Sequence, residues 1–277
     1  MHSTANLKLQ KIKILREINQ LNIIPCAQVH LFSTIDSTNQ WLKTDDSFVN
    51  YDQTSELVLC CAETQTLGRG RFQRPWYSPA GENMYASFRM PMPCQPKECL
   101  GLSLVVSLAV LHTIYNILSE ISDLKIKWPN DVLWHGKKLC GNLIETIRDP
   151  NGNMHLIIGI GLNINSITTK HKLDQPWCSL YEISNKFYDR NKIIAQVFSN
   201  VHADVIHLMH HGLQDFQNAW RKADYLYQKP ITISHTLGMQ HGIAMGINDL
   251  GQLILEDAQL NRHYLNSGET SLRELIF

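Results

Sequence analysis

The stretch Gly68-Arg69-Gly70-Arg71, with Arg74 close behind, is built to meet an anion. Glycine lets backbone N–H groups approach a ligand closely, and arginine adds charge and forked donors shaped for phosphate or carboxylate. Three guanidinium groups so near one another repel unless something negative sits among them. That partner is either a bound anion or, in a solvated turn, acids such as Glu63 and Glu82; the spacing leaves both readings open. The loop fits neither GxGxxG nor GxxxxGK[ST], so neither a dinucleotide pyrophosphate site nor a P-loop is indicated.

A second cluster, Lys127-Trp128-Pro129-Asn130-Asp131, places a point charge and a carboxylate at either end of a stiff approach, because proline holds the residue before it extended. Such a carboxylate could recruit Mg²⁺, while lysine and aspartate at strand ends are equally at home in solvent. In a third, Gly159, Gly161, Asn163 and Asn165 alternate with Ile158, Ile160, Leu162 and Ile164, so one face of a strand is core and the other nearly bare. A bare face admits a ligand or a closely packed helix. His207 and His211 stand one i, i+4 step apart, yet no acid or cysteine completes a metal set by motif, and a solvated helix face is the better reading. No Ser/His/Asp or Cys/His arrangement for covalent catalysis is recognisable.

These residues must be positioned by a chain of 277 residues with 25 basic and 25 acidic side chains. Zero net charge gives no global field to attract nucleic acid or a membrane surface, so anion binding has to be local. The length suits one larger domain with a small appendage. Seven cysteines, Cys26, Cys60, Cys61, Cys94, Cys99, Cys140 and Cys178, form no CxxC pair and no zinc-ribbon spacing, which fits a reduced, cytoplasmic protein. Residues 8–17 alternate charges with Leu and Ile, so no secretion signal is expected. The uncharged run 101–118 is long enough to raise the question of a membrane span. Ser103, Ser107, His112, Thr113 and Asn116 interrupt it around most of the helix circumference, and a helix buried by its own protein is expected instead.

Periodicity predicts an amphipathic helix over 6–21, from Leu7, Leu9, Ile12, Leu15, Ile18 and Leu21. A strand over 29–35 follows, and then Asp36-Ser37-Thr38-Asn39 with helix-capping chemistry. Strands are predicted over 57–62 and 83–90, then a meander over 124–128, 131–134 and 138–147, and a strand over 155–165. Helices are expected over 189–211 and 213–222. Beyond Tyr225 the texture changes to short strands over 231–234, 242–247 and 252–256, with a turn at 248–251; the last ~50 residues suit a small β-barrel. Domains are accordingly expected over 1–225 and 226–277.

Read together and in order, these clusters resemble the biotin protein ligase family. Asp36-Ser37-Thr38-Asn39 is similar to the family's opening signature; Gln65 followed by Gly68-Arg69-Gly70-Arg71 and Trp76 is similar to its GRGR loop; its KWPND motif stands intact at Lys127 to Asp131. Lys138-Leu139-x-Gly141 with Leu143-Ile144-Glu145, the Gly159/Gly161/Asn163/Asn165 pattern, and the ending Gly268-Glu269-x-Ser271-Leu272-Arg273 continue the likeness. Phe72-Gln73 stands where many members carry Arg-Gly, and Asn142 where a small or apolar residue is common.

The resemblance implies an α+β (mixed α/β) fold: a catalytic domain like that of class II aminoacyl-tRNA synthetases, with a mixed or antiparallel sheet, plus an SH3-like C-terminal barrel. It implies an ATP-dependent ligase that makes biotinyl-5'-AMP and passes biotin to a lysine of a biotin carboxyl carrier protein, of acetyl-CoA carboxylase or another biotin-dependent carboxylase. Ser37, Thr38, Asn39, Gln65 and Gly141 would line the biotin pocket with Arg69, Gly70, Arg71 and Lys127. Gly68, Arg74, Trp76, Asn130, Asp131, Asn163 and Trp177 would serve ATP. Lys127, Arg69 and Arg71 would be catalytic, with Mg²⁺ accompanying ATP through unidentified ligands. A monomer or weak homodimer is expected. One helix before the signature is too little for a DNA-reading winged helix of ~60 residues, so no operator binding and no membrane partner are expected. A lipoate or octanoate transferase would show an Arg-Arg-x-Ser-Gly-Gly-Gly run, which is absent; a biotin-binding protein without turnover is the non-enzyme alternative.

Overall fold

The all-apolar run at 57–62 has no polar face to offer solvent, so it belongs inside a sheet. In the computed structural model, which describes residues 8–21, 28–44, 57–92, 101–118, 121–168, 173, 175–235, 238–267 and 271–274, β2 (Val58–Ala62) is buried at every position. The expectations for Cys26, Cys94, Cys99 and Gly268-Glu269 lie outside the described residues. β1 (Gln28–Phe32) pairs with β2 in parallel, and β3 (Met84–Pro91) pairs with it antiparallel. β4 (Leu124–Lys127), β5 (Asp131–Trp134), β6 (Lys137–Arg148) and β7 (Met154–Leu162) complete a seven-stranded mixed sheet of order β1-β2-β3-β7-β6-β5-β4.

α1 (Lys11–Gln20) starts later than its periodicity predicted, and Ile12 is 72% exposed while Ile14 and Ile18 are buried. The i, i+4 pair Ile14/Ile18 sets the buried face, and Leu9 enters the core from the preceding segment, its N–H bonded to Glu63 Oε1 at 2.8 Å. Ser37 caps the single turn α2 (Thr38–Trp41). α3 (Leu102–Ile117) is the predicted buried helix. It tolerates polar residues because Ser107 and Thr113 return their hydroxyls to the helix's own carbonyls, Ser103 O at 2.9 Å and Ala109 O at 2.8 Å. No described helix is long and apolar enough to cross a membrane.

α4 (Leu180–Ser184) was not anticipated, whereas α5 (Arg190–His211) was, and the helix expected over 213–222 is a 3₁₀ turn (Leu213–Phe216) continuing into α6 (Gln217–Ala223). A smaller antiparallel sheet follows: β8 (Pro230–His235), β9 (Gly238–Ile247), β10 (Leu253–Glu256), β11 (Arg262–Leu265) and β12 (Ser271–Glu274), in the order β11-β10-β9-β8-β12. β11 and β12 are additions to the predicted strands; β11 has no buried position to give it a periodic signature. Ile231, Ile233, Ala244, Leu253 and Leu255 join the same apolar core as the larger sheet. The turn before β10 meets the start of α3 where Gly251, at φ +73°, approaches Gly101: a Cβ on Gly251 would lie 2.9 Å from the Gly101 Cα.

Candidate active site

The parallel pairing of β1 with β2 continues past the strand ends, where Ile35 bridges Gln65. That extension sets the Ser37-Thr38-Asn39 triplet beside Gln65: the Thr38 N–H donates to Gln65 Oε1 at 2.9 Å. Ser37, Thr38 and Asn39 are buried, although all three are polar. Ser87 on β3 joins them, 2.6 Å from Thr38 Oγ1 and donating to Asn39 Oδ1 at 2.5 Å.

Antiparallel register brings the second and third clusters into one row. Lys127 on β4 lies opposite Asp131 on β5, which is opposite Gly141 on β6, which is opposite Gly161 on β7, which is opposite Tyr85 on β3. Directly paired residues share a face, so the lysine, the carboxylate and the two glycines look the same way. The next row on that face is Leu143, Gly159 and Ser87.

The bare glycine face is filled by site side chains, where a helix or a ligand had been the two options. A Cβ on Gly159 would strike the Asn39 amide, and one on Gly161 would strike the Trp76 indole. Gly141 lies under the same indole, its would-be Cβ 3.2 Å from Trp76 Cζ3. Asn163 and Asn165 are fasteners. Asn163 Nδ2 donates to the Cys178 carbonyl at 3.0 Å, and Asn165 exchanges hydrogen bonds with the Tyr188 backbone.

The Gly/Arg loop folds as a narrow hairpin: Gly70 N–H bonds Arg74 O at 2.8 Å and Trp76 N–H bonds Gly68 O at 2.8 Å. Gly68 is required by space, since its Cβ would lie 2.9 Å from Gln65 Nε2, Ser78 Oγ and Trp76 O. At the tip, Phe72 and Gln73 take left-handed φ of 55° and 57°, and the Arg71 and Arg74 guanidiniums sit 4.9 and 5.9 Å from the Phe72 ring centroid. Of the acids proposed as partners for a solvated turn, Glu63 pairs with Arg190 at 2.7 Å. Arg69 reaches Gln40 Oε1 at 2.9 Å, and Arg71 donates to the carbonyl of Ser267, two residues past β11. Burial pushes the Arg71 guanidinium below its ordinary value, with Asp131 opposing the shift and Arg74 adding to it.

All sixteen site residues expected from sequence line one cavity of about 1060 Å³: Ser37, Thr38, Asn39, Gln65, Gly68, Arg69, Gly70, Arg71, Arg74, Trp76, Lys127, Asn130, Asp131, Gly141, Asn163 and Trp177. Three buried polar atoms among them, Arg69 Nε, Trp76 Nε1 and Asp131 Oδ1, have no hydrogen-bond partner among the described residues. Such atoms are costly unless a ligand completes them. Asn130 Nδ2 is spent on the Asn142 carbonyl at 2.7 Å, and Asp131 Oδ1 stands 2.8 Å from Lys138 Nζ in a charge contact without hydrogen-bond geometry. Asn142 is fully partnered by α3, accepting from Ser103 Oγ at 2.7 Å and donating to Ser107 Oγ at 2.9 Å. A polar residue in that position is therefore matched by the serines that interrupt the apolar helix.

Sequence reasoning missed Ser87, Lys138, Lys43 and Glu145 as parts of the site. Lys43 and Glu145 form a 2.5 Å ion pair behind Asn39 and Arg69. The spacing of Glu145 after Gly141 was visible, but a glutamate in a strand has no signature of its own. Among the described residues no cluster of three His, Cys, Asp or Glu could hold a metal, and His207 bonds Asp215 at 2.6 Å. Cys60, Cys61, Cys140 and Cys178 are buried free thiols, and burial pushes all four up, Cys178 to about 12, away from the thiolate form that a nucleophile needs.

Residues 31–165 match the family model described as Biotin/lipoate A/B protein ligase family. The bifunctional ligase/repressor BirA of Salmonella typhimurium is 30% identical over 249 residues, spanning 88% of this chain and 74% of that one. The biotin-[acetyl-CoA-carboxylase] ligase of Mycobacterium tuberculosis is 30% identical over 208 residues, spanning 72% and 73%. The solved biotin protein ligase from Aquifex aeolicus, in complex with biotin and ATP, superposes with a TM-score of 0.74 at 27% identity, covering 89% of this chain and 99% of that one. With its GRGR loop, its KWPND turn and its bare glycine strand brought to one cavity, the chain belongs to the biotin protein ligases of the biotin/lipoate A/B protein ligase family.

Proposed function

We propose that this protein activates biotin with ATP to biotinyl-5'-AMP and transfers it to a lysine of a biotin carboxyl carrier domain. The observation that carries the reading is the division of the cavity. One part, at Ser37, Thr38, Asn39 and Gln65, offers only neutral donors and acceptors, while Arg69, Arg71 and Lys127 supply cations to the same space. That division suits an uncharged ureido ring joined to a carboxylate that is to become an acyl phosphate. A volume of about 1060 Å³ lies at the upper end for small-molecule sites, as two substrates require.

A carboxylate resists attack on its carbon, so it is activated first. Its oxygen attacks the α-phosphorus of ATP, the bond to the β-phosphate breaks, and pyrophosphate leaves. Lys127 and the Arg69/Arg71 pair stabilise charge building on the phosphorus, most strongly once the loop excludes water. A neutral lysine amine of the acceptor then attacks the acyl carbon, the bond to AMP breaks, and an amide forms with release of a proton. No enzyme nucleophile is needed. Mg²⁺ would accompany the triphosphate: among the described residues one carboxylate, Asp131, faces the cavity, and such ions draw most of their ligands from phosphate and water. We further propose that the folded chain does not read DNA, because its 25 basic and 25 acidic residues leave no net charge for a phosphate backbone.

Pyrophosphate release from ATP, measured with biotin, with lipoate and with no acid, tests the reading: release with biotin alone is expected. Lys127→Ala should lower that release by about 10²–10³ while keeping the wild-type melting temperature. Wild-type turnover in the variant would remove the role given to Lys127.

A further inference from the structure

The neutral part of the cavity is one continuous chain of hydrogen bonds, and it ends on a charge. Because the Thr38 N–H donates to Gln65 Oε1, the Gln65 Nε2 group is turned toward Ser78 Oγ at 3.3 Å. Thr38 Oγ1 lies 3.1 Å from Gln65 Oε1 and 2.6 Å from Ser87 Oγ. Ser87 donates to Asn39 Oδ1, and Asn39 Nδ2 donates to Glu145 Oε2 at 2.9 Å. Glu145 also accepts from Lys43 Nζ at 2.5 Å and stands 3.9 Å from Arg69.

A carboxylate can only accept. Asn39 must therefore turn its NH₂ to Glu145 and its oxygen to Ser87, so Ser87 must donate to Asn39 and is left to accept from Thr38, whose single hydroxyl proton is then spent there while the Thr38 N–H keeps the link to Gln65 Oε1. The Leu143 carbonyl, at 3.4 Å from Asn39 Nδ2, is too distant to hold that orientation firmly. With an amide in place of the carboxylate, Asn39 is satisfied in either flip, and the hydroxyls of Ser87 and Thr38 can reverse with it. Burial would raise the Glu145 carboxyl, but hydrogen bonds from Lys43 and Asn39 and the charges of Lys43 and Arg69 hold it below the usual carboxylate range.

Resting on the biotin reading, we propose that Glu145 is a positioning residue which, through Asn39 and Ser87, fixes the direction of the pocket's hydrogen-bond chain and so selects a cyclic urea over rings with a different donor pattern. A pocket whose amides and hydroxyls are pinned cannot adapt when a ligand exchanges an acceptor for a donor; one that can flip does. The same carboxylate sits behind Arg69, so the urea-reading part of the cavity and the Gly/Arg loop share one anchor.

The test compares dissociation constants for biotin and for 2-iminobiotin, whose ring at neutral pH is a guanidinium that presents the donor C–NH₂⁺ in place of the acceptor C=O. Wild type should prefer biotin strongly. In Glu145→Gln, biotin should weaken by about tenfold and 2-iminobiotin by less than about twofold, so that the preference collapses. Ser87→Ala cuts the same chain one link further along and should show the same collapse, which keeps the test alive if the first variant does not fold. Equal weakening of both ligands in the folded variants, as a merely structural role would give, or no weakening of either, overturns the proposal. A wild-type protein that binds no biotin overturns the biotin reading and this inference with it, and that result is recognisable before any variant is made.

Discussion

Gly161 shows how a residue with no side chain does specific work. The room it leaves is occupied by the Trp76 indole, whose Nε1 would lie 2.6 Å from a Cβ at this position. Gly161→Ala should therefore lift the ring into the cavity, cost about 1–3 kcal/mol in stability through overpacking, and raise the KM for ATP more than that for biotin. An unchanged KM for ATP in a steady-state assay would show that Trp76 does not serve the nucleotide. Alternation of glycine with isoleucine was plain in the sequence, so the existence of a bare face was legible. What covers it was not, because Trp76 and Asn39 arrive from distant parts of the chain through strand register. Ser87 and Glu145 were hidden for a related reason: a serine in an apolar strand and a glutamate in a polar one are unremarkable until the fold puts Asn39 between them.

At the scale of elements, strands with two-residue alternation or full burial were read closely, whereas β11, with no buried position, and β12 were not. β11 is held by its turn. Asp257 accepts from the Gln259 and Asn261 N–H groups at 2.9 Å each and pairs with His263 Nε2 at 2.8 Å. The His263 bond, with the Asn261 backbone bond next, holds the Asp257 carboxyl at about 2, below its ordinary 3.8. A depressed folded-state value means stability that is present above the ordinary value and lost as pH falls through about 2. Melting temperature should therefore decline between pH ~4 and ~2, and Asp257→Asn should flatten that part of the curve while lowering the plateau above it. A variant with the wild-type slope would place the acid-labile contact elsewhere.

Across the whole molecule, the larger sheet carries the cavity and, among the described residues, the smaller one braces it without lining it. The Gly/Arg loop reaches the smaller one through Arg71 and the Ser267 carbonyl, and the KWPND turn reaches it through Trp128, whose Nε1 donates to the Gly251 carbonyl at 3.1 Å. Trp128 is 2% exposed and stands directly after Lys127 in the chain, so the indole that fastens the smaller sheet lies one residue from the lysine. This coupling was beyond the sequence: the turn at 248–251 and the tryptophan were each visible, but nothing local joins residues 123 positions apart. Replacing Trp128 with Phe keeps an aromatic ring and removes the donor, leaving a buried carbonyl unpartnered at a cost of about 1–3 kcal/mol. If the smaller sheet helps to seat the Lys127 turn, Trp128→Phe should lower both the melting temperature and the rate of biotin-dependent pyrophosphate release, with the rate loss persisting well below the new melting point. A rate that recovers fully at low temperature would instead make the contact a matter of stability alone, and Lys127 would owe its position to β4 and β5 without help from the neighbouring sheet.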